Sequence, residues 1–136
     1  MAADPRLTNA AASSACDAVV NMVDTGGAGK IIFYTATIPT DADTAVGAQT
    51  ALSTATFDAT AFGAASNGTA TAATITGSTA GAAGTATWSR WVNGGGATVL
   101  DCTVGTSGED INFNSNIFSV GASISVTALT VAVPKT

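Results

Sequence analysis

Apolar and polar positions change rhythm near residue 30. Before it, Leu7, Ala11, Ala15, Val19, Met22 and Val23 recur at intervals that bring them near one face of a helix. The spacing predicts a single helix over residues 8–24, capped by the side chain of Thr8 or Asn9 and ended by Gly26-Gly27. Such a helix either packs on the domain's own sheet or forms an arm that docks on another subunit.

From Lys30 the pattern is that of strands. IIFYTATI, residues 31–38, is rich in branched and aromatic residues and stops at Pro39, which cannot donate to a ladder. Residues 40–50 read as a loop. ALSTATF (51–57) and TAFGA (60–64) follow as short strands around Asp58, with a turn at Asn67-Gly68. TATAATIT (69–76) is a weak strand and GSTAGAAG (77–84) a glycine-rich connection. A tryptophan-bearing hairpin, a short strand at 111–113 and a long final strand, ASISVTALTVAVP (122–134), complete the series.

In that last strand Ile124 and Val126 share one parity, whereas Leu129, Val131 and Val133 share the other. The apolar face therefore switches near Thr127-Ala128, as at a bulge or where both sides are buried. The elements predict a mainly β domain: an antiparallel sandwich or barrel-like unit of six to seven strands over residues 29–136, preceded by a helix or arm over 1–28, all one structural unit. The Ala/Thr/Gly bias between 35 and 87 has no fixed period, so no solenoid is expected.

The hairpin carries both tryptophans. If it closes through Asn93-Gly94-Gly95-Gly96 with Val92 opposite Ala97, Trp91 lies opposite Thr98 and Trp88 opposite Asp101. One face then holds Trp91, Leu100, Cys102 and Val104, a core face. The other holds Ala86, Trp88, Arg90, Val99 and Asp101, with Arg90 and Asp101 diagonal neighbours able to pair. Aromatics beside arginine and a carboxylate are enriched at protein contacts, so Trp88, Arg90 and Asp101 form a candidate interface. The alternative places Trp88 under a loop or the N-terminal helix. A hairpin loop of odd length would exchange the faces and give the anchoring role to Trp91.

Composition sharpens this picture. Hydrophobic residues make up 46% of the 136, but 29 of those 63 are alanine, so the core is lean and neighbours are expected to complete its burial. Net charge is −5, and the four cations, Arg6, Lys30, Arg90 and Lys135, are scattered. A phosphate backbone needs cations on one face, so neither nucleic acid nor a membrane surface is expected as partner. Residues 1–20 lack the basic and leucine-rich regions of a signal peptide, which points to cytoplasmic synthesis. The Asn67-Gly68-Thr69 sequon is then incidental. Two cysteines, Cys16 and Cys102, are too few for a disulfide framework and are expected as reduced thiols.

Candidate chemistry is sparse. The chain has no histidine, which removes the commonest general base and metal ligand. Neither cysteine has a cationic neighbour in sequence to lower its pKa. GGAGKI (26–31) lacks the spaced glycine and the Ser or Thr of a phosphate-binding loop. Asp41 and Asp43 could contribute to a Ca²⁺ loop, but two carboxylates fall short of six oxygen ligands, and solvated loop charges are the simpler reading. Glu109-Asp110 read as turn-capping residues, since nothing fixes the separation that a pair of glycosidase carboxylates requires. No catalytic residue, metal ligand or cofactor is expected.

The run RLTNAAASSACDAVVNMVDTGGAGKIIFYTATIPTDADTA, followed by FGAA, by GTATWSRWV with GGATVLDCTVGTSGEDINFN, and by the valine-rich terminal strand, resembles small structural proteins of tailed-bacteriophage head modules. The resemblance spans nearly the whole chain. It implies a capsid decoration, or cement, protein that sits outside the major capsid protein, clamps neighbouring capsomers as a homotrimer and resides on the virion surface. No site residue is carried over from it. Two other readings stand beside it: a tail, fibre or head-fibre component, and a carbohydrate-binding β-sandwich for host attachment.

Overall fold

A computed structural model describes residues 5–135; the first four residues of the expected arm, and residue 136, lie outside this range. Helix α1 spans Asn9–Asn21 and continues as a 3-10 turn, Met22–Asp24. Thr8 is the cap, its hydroxyl accepting from Ala11 N–H at 3.1 Å. The buried stripe is Ala12, Cys16, Val20 and Val23, one position round from the predicted face, and Leu7 and Met22 are exposed. The reason lies in the polar neighbours of that stripe. Ser13 and Asp17 accept from the N–H groups of Gly68 and Ala65 at 3.0 and 2.7 Å, which rolls the helix toward the loop before β3. The helix thus rests on its own chain, against β3 and β11.

Among the described residues eleven strands follow, more and shorter than the six or seven expected: β1 Lys30–Tyr34, β2 Ala51–Thr56, β3 Thr69–Thr71, β4 Ser78–Thr79, β5 Gly84–Thr85, β6 Trp88–Val92, β7 Thr98–Gly105, β8 Ile111–Asn112, β9 Ile117–Phe118, β10 Ser123–Ile124 and β11 Thr130–Ala132. The principal sheet is a half-barrel of order β2-β1-β6-β7-β8. Its pairs are antiparallel except β7 with β8, which is parallel. Three two-stranded pairs, β10-β4, β11-β3 and β5-β9, surround it. The fold is mainly β with one helix, as the pattern predicted.

Alternation places Ile31, Phe33 and Trp91 on the inner face and Ile32, Tyr34, Trp88 and Arg90 on the outer one. The inner face carries two aromatic groups. Trp91 packs with Phe57 and Phe62 at 5.2 and 6.0 Å, and Phe33 packs edge-on with Phe113 and Phe118 at 5.4 and 6.1 Å. These rings provide the bulk that an alanine-rich composition withholds elsewhere.

β1 stops at Tyr34, four residues short of the expected end, because Thr35-Ala36 leaves the sheet. Ala36 adopts a left-handed φ of 66° there. Residues 40–50 form the expected loop. TAFGA is not a strand, contributing only a Phe62–Ala72 bridge. The Asn67-Gly68 turn forms as read, with φ of 52° and 81° at its two residues. The terminal strand is divided: β10 pairs with β4, and β11 with β3. The parity switch read near Thr127-Ala128 falls in the gap between them, where the chain passes from one partner to the other.

Candidate interaction surface

The hairpin of β6 and β7 holds all four residues singled out from the sequence. Its loop is one residue shorter than expected: Asn93 N–H donates to Ala97 C=O at 2.8 Å, leaving Gly94-Gly95-Gly96 as the tip. The Asn93 carboxamide oxygen accepts from Gly95 and Ala97 N–H at 3.0 Å each. Gly94 permits a close approach, since a Cβ there would stand 2.5 Å from backbone atoms of Gly26 and Gly27.

A loop of odd length should have exchanged the faces. It does not, because the register shifts by one residue between Trp91 and Val92. Val92 is opposite Thr98, whereas Trp91 is opposite Leu100, so Val99 is the extra residue of a bulge. Two one-residue irregularities cancel, and Trp91, Leu100 and Cys102 share a face as read. The pairings themselves are corrected. Trp88 lies opposite Thr103, and Arg90 lies directly opposite Asp101.

None of the four residues is open to a partner, which corrects the expected interface. Trp91 is in the inner core at 1% exposure. Trp88, at 0%, is covered on the outer face by the chain itself. The Tyr34 ring stacks on it, the Thr35 C=O accepts its Nε1–H at 3.1 Å, and the Arg90 guanidinium lies over it at 5.5 Å. Thr87 Oγ1 donates to the Ala36 C=O and draws the same segment down. Arg90 and Asp101 make a bidentate pair at 2.7 and 2.8 Å, with side chains 6% and 7% exposed. That bond raises the Arg90 pKa further. Tyr34 is raised as well, chiefly by burial.

The remaining candidate groups are engaged in turns or buried. Asp110 accepts from both Thr103 N–H and Oγ1–H, at 2.9 and 3.0 Å, and Glu109 meets Asn112 through its backbone. Asp41 accepts twice from Thr44 at 2.8 Å. Among the described residues, no three His, Cys, Asp or Glu side chains are grouped to hold a metal ion. Cys16 is buried, its thiol donating to Val131 C=O at 3.3 Å. Burial pushes the Cys102 thiol up to about 12, with Asp110 and Asp101 adding to the effect.

Sequence reasoning missed the apolar residues that do face solvent. Ile117 and Val120 are 70% and 69% exposed, on the turn around β9. The signal was present in SNIFSVGA: two branched residues three apart in a stretch of turn formers cannot both follow Phe118 inward. Among the described residues, no helix is long and apolar enough to cross a membrane. Comparisons of the chain with protein-family models, with curated proteins and with solved structures found no match.

Proposed function

We propose that this chain is a decoration protein of a bacteriophage head: it binds the outside of the capsid lattice, as a homo-oligomer, and stabilises the assembled shell without catalysis. The observation that carries the reading is the apolar projection of Ile117 and Val120 on a scaffold whose indoles, buried arginine and thiols are spent on its own fold. Exposed apolar side chains on a β framework suit association, and the absence of histidine from the sequence leaves little for chemistry. A subunit that binds only the assembled shell stabilises it by mass action, and symmetric repetition multiplies modest contacts.

The test is add-back of the purified chain to heads that lack it. Co-sedimentation with heads and a rise in their disruption temperature that saturates with added chain are expected. Failure to sediment with heads, or binding confined to tails, would refute the reading; the second result would favour the tail component.

A further inference from the structure

The half-barrel is open along one seam. Beyond β8-β7-β6-β1-β2, the β2 edge meets the β4 region through the Thr56–Thr76 bridge and the Gly81 N–H donated to Leu52 C=O. β4 in turn pairs with β10. Among the described residues no pairing joins β10 to β8. Residues 110–115 and 123–130 line instead a common groove of about 610 Å³.

One wall of this groove is the free edge of β8, and the other is the irregular segment 125–129 between β10 and β11. No described hydrogen bond engages the backbone of Ser125, Val126, Thr127 or Ala128. Ala122 and Ile124 are turned toward β4, because Ala122 C=O accepts from Ala80 at 2.8 Å and Ile124 pairs with Ser78. Neighbouring residues of an extended chain aim their N–H and C=O at opposite edges, so Ser125, next after Ile124, aims its own at the groove; the switch of face comes after it, since Leu129 C=O accepts from Ala72. Across it, Phe113 N–H donates to Gly105 C=O at 2.9 Å, which turns the backbone groups of Asn112 away from β7 and toward the same space. Ile111, Phe118, Val126 and Leu129, all buried, supply apolar lining. Asp110 is the one charged residue of the lining, with Glu109 exposed beside it.

We infer that this seam is a strand-acceptor site: it takes an extended segment of a different protein, with branched apolar side chains at alternate positions and a lysine or arginine at the end beside Glu109 and Asp110. Main-chain bonds to the β8 edge and to Ser125 would give affinity, and the apolar lining would select alternate side chains. Charge complementarity favours a foreign strand over a second copy. Each copy carries −5, and the chain's alternating stretches next to Lys30 and Lys135 already serve as β1 and β11. The inference stands on the seam and holds whether or not the partner is a capsid protein.

Selection of a random heptapeptide display library on the full chain, followed by amide exchange with the synthesised winner, tests it. An alternating β-branched consensus with a basic end is expected, and saturating peptide should slow exchange at Asn112 and Ser125 at least tenfold. Ser125→Pro deletes a donor that no described residue uses, so it should keep the thermal midpoint and weaken binding at least tenfold. Should that variant fail to fold, a winner N-methylated at alternate amides gives the same answer with the protein unchanged. Glu109→Gln should weaken binding several-fold and flatten its salt dependence. No enriched peptide, a consensus without alternation, or a winner that leaves those amides unchanged would overturn the site. Protection of them in the free chain with concentration-dependent dimerisation would assign the seam to a second copy and overturn the foreign strand.

Discussion

The ring of Tyr34 lies on the indole of Trp88, centroids 4.6 Å apart and planes 15° from parallel. The two residues are directly opposite on β1 and β6, so the stack closes the outer face across a strand pair. Thr35 follows Tyr34 and accepts the indole N–H. The residue that covers Trp88 and the one that satisfies it are therefore neighbours in sequence, and the indole belongs to the fold.

Replacement of Trp88 should accordingly be costly to stability. Trp88→Ala should lower the free energy of unfolding by about 3–5 kcal/mol, the range for emptying a buried large aromatic site. Trp88→Phe keeps a ring against Tyr34 but leaves the Thr35 C=O without its donor, a loss of about 1–3 kcal/mol. Urea unfolding of the two variants checks the order. An Ala variant that unfolds like the parent but detaches from its partner would return Trp88 to an interface.

Arg90 and Asp101 form a pair whose value lies in being complete. Asp101→Ala strands a guanidinium at a site where its side chain is 6% exposed, and about 3–5 kcal/mol should be lost. The double variant Arg90→Met with Asp101→Leu removes both charges and should recover most of that loss. The coupling is read from a double-mutant cycle in urea. If the double variant is no better than the single one, the pair contributes chiefly through packing on Trp88.

Alkaline pH should destabilise the fold through Cys102 and Tyr34, two groups whose pKa values are raised. The Cys102 thiol moves from its ordinary value of 9.0 up to about 12. Above pH 9 the unfolded chain gives up this proton while the folded chain retains it, so stability is full below pH 9 and is lost as pH rises toward 12. Tyr34, also raised, has the same sign above its ordinary 10.0. Unfolding midpoints measured from pH 8 to 11 should fall, and Cys102→Ala should flatten the decline. At pH 8 a thiol reagent should label Cys102 far more slowly in the native chain than in urea.

What could be read from the residues depended on whether the deciding contacts were local. The cap at Thr8 and the Asn67-Gly68 turn are set by neighbours in sequence, and the parity switch in the last strand was visible because side chains alternate. The face of Trp91 came out right through cancellation, since the Gly94-Gly95-Gly96 loop and the Val99 bulge each add one residue of slip. The cover over Trp88 could not be read: it is a segment more than fifty residues away, held by backbone carbonyls that any sequence possesses. Two-residue strands such as β4, β5 and β9 exist only through remote partners, and Ala/Thr/Gly stretches give them no period of their own. The helix face was misjudged because alanine fills both the buried and the exposed side, and Asp17 and Ser13 decided the roll.

Ile117 and Val120 separate attachment from folding. Both stand largely in solvent, so their replacement by serine should alter stability by no more than about 0.5 kcal/mol each. If they contact the shell, each truncation removes apolar area from the interface and should lower retention on heads at least fivefold, with the pair Ile117→Ser and Val120→Ser worse than either alone. Met22, 53% exposed at the end of the helix, provides the control, since Met22→Ser alters a comparable apolar side chain elsewhere. Retention is measured by sedimentation of heads with labelled chain, and stability by thermal unfolding of the free protein. Equal retention of all three serine variants would remove the β9 turn from the contact, whereas loss confined to the Ile117 and Val120 variants would establish it.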